Sequence, residues 1–176
     1  MGACADISQA LSRLERSGEL VFPLRGYYCL PRISKLLGIL MPPDYEELAS
    51  AIARGHGWTI LPCGDVLLNQ LGLSTQVPAV WSFVSDGPYR DFLIGNVTLT
   101  FTHTANKEIF NLSRKTAMVV QAIKALGADH VGEQEISILR GRLTKEERLA
   151  LIDEATRTTS WIYEILKLIA VEGKDA

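Results

Sequence analysis

A chain of 176 residues suits one compact domain, or a small module joined to a medium one, and 47% apolar residues are enough for a core. The formal net charge of −2 supplies no global attraction to nucleic acid or to an anionic membrane, so any DNA contact has to come from a local basic patch. Cys4, Cys29 and Cys63 form no CxxC pair and no metal-ligand spacing. The N-terminus has no basic stretch followed by an apolar run, and no apolar run approaches the roughly 20 residues that span a bilayer; the expectation is a reduced, cytoplasmic protein with no membrane contact.

Asp6 is followed three positions later by Gln9, a variant of the capping box that opens helices. Ile7, Ala10, Leu11 and Leu14 then recur at helical spacing, which predicts one buried stripe, and Ser17-Gly18 stops the helix. The opposite face carries Ser8, Gln9, Ser12, Arg13 and Arg16, short hydrogen-bonding groups with two guanidinium groups, a set suited to bases and phosphates. Glu19 to Phe22 and Tyr27 to Leu30 are β-prone runs around Pro23-Leu24-Arg25-Gly26, a hairpin pattern with Arg25 at its tip. A helix followed by a hairpin is the second half of a winged helix-turn-helix. Only Met1 to Ala5 precede this helix, so the module is expected to be truncated, without the helix that normally comes before the recognition helix.

Arg32 to Met41 is an apolar connector that Pro42-Pro43 stops, since proline cannot continue a helix, and the domain boundary is expected there. Asp44 caps a helix running to Ala53, with Glu46 and Glu47 in its first turn and Leu48, Ala51 and Ile52 inward. Trp58 to Leu61 is strand-like, Pro62-Cys63-Gly64 turns, and Asp65 to Leu71 forms a short helix with Val66, Leu67 and Leu68 inward. The single glycine, with no GxGxxG and no Walker lysine, argues against a phosphate site there. In the following stretch Leu71, Leu73 and Val77 are expected to bury, with Ser74, Thr75 and Gln76 closing a loop through local hydrogen bonds or meeting a partner.

Ala79 to Val84 is a strand, Asp86-Gly87-Pro88 a turn, and Asp91 to Ile94 with Val97 to Phe101 a hairpin about Gly95-Asn96, alternating Val97, Leu99 and Phe101 against threonines. Helical patterns follow from Ser113 to Gly127, over Glu133 to Leu139, from the Thr144-x-x-Glu147 capping box to Ala155, and over Ser160 to Ala170, the last with Trp161, Ile165, Leu168 and Ile169 inward. Strands first and helices afterwards indicate an α+β fold: a truncated winged helix-turn-helix module (1–41), then a small mostly antiparallel sheet with C-terminal helices (42–176).

Catalytic chemistry finds little support. His56, His103 and His130 are scattered without HExxH-type spacing, and His103 at a strand end has no evident nucleophile beside it. Cys63 near a helix start is placed for a lowered pKa, yet no Cys/His signature accompanies it. Asp86, Asp91 and Glu108 match no ligand spacing, so neither a metal nor a cofactor is expected.

The run Gln9-Ala10-Leu11-Ser12-Arg13-Leu14, with Gly18-Glu19-Leu20 and Arg25-Gly26-Tyr27-Tyr28, resembles the winged-helix end of AbiEi-like antitoxins. With Ser34-Lys35-Leu36-Leu37-Gly38, Pro42-Pro43-Asp44, Asn69-x-Leu71-Gly72-Leu73-Ser74-Thr75-Gln76-Val77-Pro78, Asp86-Gly87-Pro88, Ile94-Gly95, Val120-Gln121-Ala122-x-x-x-Leu126-Gly127 and Trp161-Ile162, nearly the whole chain resembles the small prokaryotic DUF6088 proteins related to them. That resemblance implies a type IV antitoxin that opposes a nucleotidyltransferase-like toxin, with no stable complex required, and represses its own operon through the winged helix. The chain departs from the pattern in lacking the helix ahead of Gln9 and in carrying Cys63 where the family usually has serine, a better helix cap than a thiol.

The expectations are therefore a non-enzymatic, antitoxin-like transcriptional regulator. Ser8, Gln9, Ser12, Arg13, Arg16 and Arg25 contact operator DNA. Ser74, Thr75, Gln76 and Arg90 are candidates for partner contact, and homodimerisation is a further expectation. The alternatives are a small-ligand or enzymatic domain with a site around Thr75, Gln76, Arg90 and His103, and a protein-interaction module.

Overall fold

The computed structural model describes residues 2–104 and 111–171, which form an α+β protein; Glu108 lies outside them. Two compact units divide the chain, Met1–Gly57 with Leu93–Asn96, and Trp58–Phe92 with Val97–Ala176. The first takes in the helix that follows Pro42-Pro43.

In the first unit, α1 (Gly2–Arg16) begins upstream of the Asp6 pattern, in a stretch where Ala3 and Ala5 favour helix. It ends as expected at Ser17-Gly18: Gly18 takes φ +77°, and the Glu19 and Leu20 amides both donate to the Leu14 carbonyl. The expected buried stripe does not form. Ile7 is 60% exposed, Ala10 and Leu14 are exposed, and Leu11 is half-buried, because no other described element of this unit closes over this face. β1 (Val21–Leu24) and β2 (Tyr27–Cys29) pair antiparallel about Arg25-Gly26, with Gly26 at φ +87° and the Phe22 and Tyr28 rings 5.0 Å apart. Pro23 and Leu24 thus belong to the strand rather than the turn.

The apolar run 32–41 is not a helical connector. It forms a second, smaller hairpin, β3 (Arg32–Ile33) with β4 (Leu40–Met41), because Ser34 and a left-handed Gly38 (φ +65°) close a loop between them. α2 (Tyr45–His56) starts where expected: Asp44 Oδ1 accepts from the Glu46 and Glu47 amides at 3.0 and 3.1 Å. The helix runs past Ala53 to a left-handed Gly57 (φ +69°) and buries Leu48, Ala49, Ile52 and Ala53.

The second unit opens with β5 (Ile60–Pro62) and α3 (Gly64–Gln70), followed by β6 (Val80–Ser85), the first three residues of β7 (Arg90–Ile94) and β8 (Val97–His103). The strands lie in the order β5-β6-β8-β7. β5 pairs antiparallel with β6, and β6 parallel with β8 from Val80↔Thr98 to Ser85↔His103. The expected alternation on β8 holds, with Leu99 and Phe101 fully buried and the threonines half-buried. Phe101 is the centre of an aromatic cluster, with the rings of Phe83, Phe92 and Trp58 5.7–5.8 Å from its own.

Among the described residues, four α-helices complete this unit: α4 (Arg114–Leu126), α5 (Glu133–Gly141), α6 (Lys145–Glu154) and α7 (Ser160–Ala170). α4 is central because its sides differ in size. Ala117 packs with Leu61, and Ala122 with Leu67 and Leu68 of α3, small side chains that admit close approach. Val119, Val120 and Ile123 meet Leu139, Leu151, Ile162, Leu166 and Ile169 from α5, α6 and α7. Each large side chain so buried contributes about 1.5–3 kcal/mol. On α7 the buried stripe is Ile162, Leu166 and Ile169; Leu168, expected inside, is exposed, since it falls outside that i, i+4, i+7 face. The capping box is present on α6, where Thr144 Oγ1 accepts from the Glu147 amide and Glu147 Oε2 from the Thr144 amide.

Candidate nucleic-acid interface

The polar face of α1 is fully formed. Ser8, Gln9, Ser12, Arg13 and Arg16, spaced i, i+1, i+4, i+5 and i+8, line one open concavity of about 350 Å³. Arg13 and Arg16 lie in the last turn, where cations complement the helix dipole, and both are exposed. The helix exit is held by Ser17, whose Oγ donates to Glu19 Oε1 at 2.7 Å and lies 3.1 Å from the Leu14 carbonyl. Of the six residues expected to meet DNA, five share this surface. Arg25 stands separately, exposed at the β1–β2 turn.

A deeper cavity, of about 730 Å³, lies in the same unit against β2 and the start of α2. Tyr27, Tyr28, Leu48 and Ala51 give it apolar walls, and Glu46 and Glu47 acidic ones. Cys29 also lines it; burial, with the Glu47 carboxylate second, raises its thiol pKa. The sequence offered no signal for this cavity, because its walls come from strand and helix segments with no common spacing.

In the second unit, Ser74, Thr75 and Gln76 follow α3 in a loop clamped by Asn69. Asn69 Nδ2 donates to the Gln76 carbonyl at 3.1 Å, the Gln76 amide donates to Ser74 Oγ at 3.2 Å, and the Ser74 amide bonds the Leu68 carbonyl. Ser74 thus performs the loop-closing role expected of the triplet, while Thr75 and Gln76 are exposed. Leu71 and Leu73 are half-buried against α3 and α4, but Val77, expected inside, is 89% exposed, because the clamp turns the chain outward before it. Arg90 lies over the Phe92 ring, 5.8 Å from its centroid. His103 Nδ1 is 2.8 Å from the Gly87 carbonyl, so that nitrogen carries the proton and donates, and Tyr89 stands edge-on to the ring. Arg90 and His103 of the alternative ligand site therefore have separate local partners.

Cys63 caps α3 without a side-chain hydrogen bond, and burial pushes its thiol up to about 11. The expected lowering at a helix start is overturned because desolvation of the thiolate exceeds the effect of a two-turn helix. His56 and His130 are exposed on separate elements, and Asp86 accepts a hydrogen bond from the Thr59 amide. Among the described residues, no three His, Cys, Asp or Glu side chains are grouped to hold a metal ion, and no helix is long and apolar enough to cross a membrane.

A family model described as "Family of unknown function (DUF6088)" matches residues 1–151. The chain belongs to this family. The match spans both units, from α1 to the middle of α6, so the polar α1 face and the clamped loop both fall in the DUF6088 region. No curated protein and no solved structure matches the chain.

Proposed function

We propose that this DUF6088 protein is an antitoxin-like transcriptional regulator that binds DNA upstream of its own reading frame and opposes a nucleotidyltransferase-like toxin, itself without catalytic activity. The observation that carries the DNA half is the exposed α1 face, on which Ser8, Gln9, Ser12, Arg13 and Arg16 line a single surface. Its guanidinium groups suit phosphate oxygens, and Gln9 and Ser12 suit base edges. The order helix then hairpin, with Arg25 at the hairpin tip, supports a winged-helix mode in which the wing meets a neighbouring phosphate. The antitoxin half rests on the resemblance to AbiEi-like antitoxins.

Fluorescence anisotropy against the upstream DNA tests the first half. Three arginine–phosphate contacts give a slope of log affinity against log salt of about −2.7, a loss of roughly 40-fold between about 50 and 200 mM salt. Arg13→Ala and Arg16→Ala each weaken binding and flatten the slope by about 1. Binding that is absent, or indifferent to salt and to both substitutions, overturns the reading. Co-expression with a nucleotidyltransferase-like product of a neighbouring reading frame tests the second half: growth arrest should be relieved, and unchanged arrest removes the antitoxin role.

A further inference from the structure

The second hairpin of the first unit exposes most of its apolar side chains, and its own hydrogen bonds hold them out. The Ser34 amide donates to the Ile39 carbonyl at 3.0 Å, the Gly38 amide to the Ser34 carbonyl at 2.8 Å, and the Leu37 amide to Ser34 Oγ at 3.2 Å. The loop so closed presents Leu36 (91% exposed) and Leu37 (65% exposed) at its tip, beside an exposed Lys35. Leu30, Ile33, Ile39, Leu40 and Met41 are exposed below them. Two two-residue strands are marginal without cover, and seven large apolar side chains stand exposed together on this one surface, unlike the singly scattered ones that need no explanation. Its exposed side chains are mainly apolar, and homodimer interfaces are the more apolar kind.

The base of the hairpin adjoins the 730 Å³ cavity. Leu30, Arg32, Pro43 and Asp44 line it, and Arg32 Nη1 pairs with Asp44 Oδ2 at 3.2 Å. An apolar knob and an apolar hole therefore lie side by side on one unit. Their charges are complementary as well: the knob carries Lys35, and the cavity wall, where Arg32 is already paired with Asp44, sets Glu46 and Glu47 against Arg54 and so keeps a negative balance. With its tip leucines in solvent, the knob does not fill its own chain's hole. A two-fold pair lets each copy fill the other's, so that every contact occurs twice and the assembly closes.

We propose that the protein forms a symmetric dimer in which Leu36 and Leu37 of each copy enter the Tyr27–Tyr28–Leu48 cavity of the other, with Lys35 facing Glu47. The dimer needs neither DNA nor toxin, so the test below stands apart from the proposed function. Light scattering and sedimentation equilibrium on the full chain, without DNA, should give twice its 19.4 kDa. Leu36→Asp/Leu37→Asp should give the monomer with an unchanged far-UV circular dichroism spectrum. Lys35→Glu should weaken association about 2–5-fold in low salt, as for an exposed ion pair, and Glu47→Lys in the same chain should restore it. A wild-type chain that stays at 19.4 kDa at high micromolar concentration overturns the proposal, whether another segment or another protein covers the hairpin. So does a dimer that survives Leu36→Asp/Leu37→Asp, or an open series of larger species.

Discussion

In the unit that begins at Trp58, Phe83, Leu99, Phe101, Ile123, Leu139, Leu151, Ile162 and Leu166 are fully buried. In the stretch before it, the buried apolar residues are Leu48, Ala49, Ile52 and Ala53, all on α2, while α1 and both hairpins hold large apolar side chains in solvent. The two regions share one chain and a similar apolar vocabulary, yet the first lacks the layered elements that close over a core. An unclosed stripe adds little to folding free energy, because its side chains are wet in the folded and unfolded chain alike. The contrast thus separates a region with a closed core from a region whose apolar side chains stand largely in solvent.

The sharpest way to break that contrast is to cut one large side chain from each region. Phe101→Ala should cost about 3–5 kcal/mol in a denaturant titration, because the aromatic cluster cannot collapse around the lost ring. Leu36→Ser, measured where the chain is monomeric, should stay within about 0.5 kcal/mol, as an exposed side chain does. Similar costs at the two positions would erase the distinction. Helix caps give a smaller, local comparison. Asp44→Ala and Thr144→Ala should each remove about 1 kcal/mol, read by hydrogen exchange as faster α2 amides in the first case and faster α6 amides in the second. Exchange that quickens across both units from either change would mean that they fold as one.

A pH-dependent effect, absent at neutral pH, is expected from Cys63. Its thiol titrates near 11 in the fold against an ordinary 9.0, so the folded chain holds the proton more tightly than the unfolded one. Its contribution to stability is full below about pH 9 and is lost as pH rises toward about 11. Denaturant midpoints across this range should fall less in Cys63→Ser than in the wild type. Equal slopes would show that the thiolate is solvated and Cys63 is not buried.

Most of the second unit was legible from its residues. Thr144-x-x-Glu147, the Gly95-Asn96 turn and the alternation along Val97 to Phe101 are local patterns, and each corresponds to what formed. The parallel pairing of β6 with β8 was not, since register between distant strands leaves no mark in either one. On the functional face, helical spacing alone sufficed to gather Ser8, Gln9, Ser12, Arg13 and Arg16. The misreadings are concentrated where periodicity was taken to mean burial. Ile7, Ala10, Leu11 and Leu14 have the right spacing, but spacing states which side chains share a face and is silent on whether anything covers it. At 32–41 an apolar run without strict alternation looked like a connector. The small devices that made it a hairpin, Ser34 and Gly38, are visible only once the loop is closed.

The strand order also sets a sequence of assembly. β8 lies between β6 and β7, and its parallel partner β6 is 18 positions earlier at Val80↔Thr98. The two-residue turn at Gly95-Asn96 lets β7 and β8 zip first, on the microsecond scale of hairpins, whereas β6 has to wait for a longer loop to close. α4 then has a finished surface to dock on. Until it arrives, the Leu61 and Val84 side of the sheet stands open, so the interval between zipping and docking is when a newly made chain is most prone to stick to its neighbours.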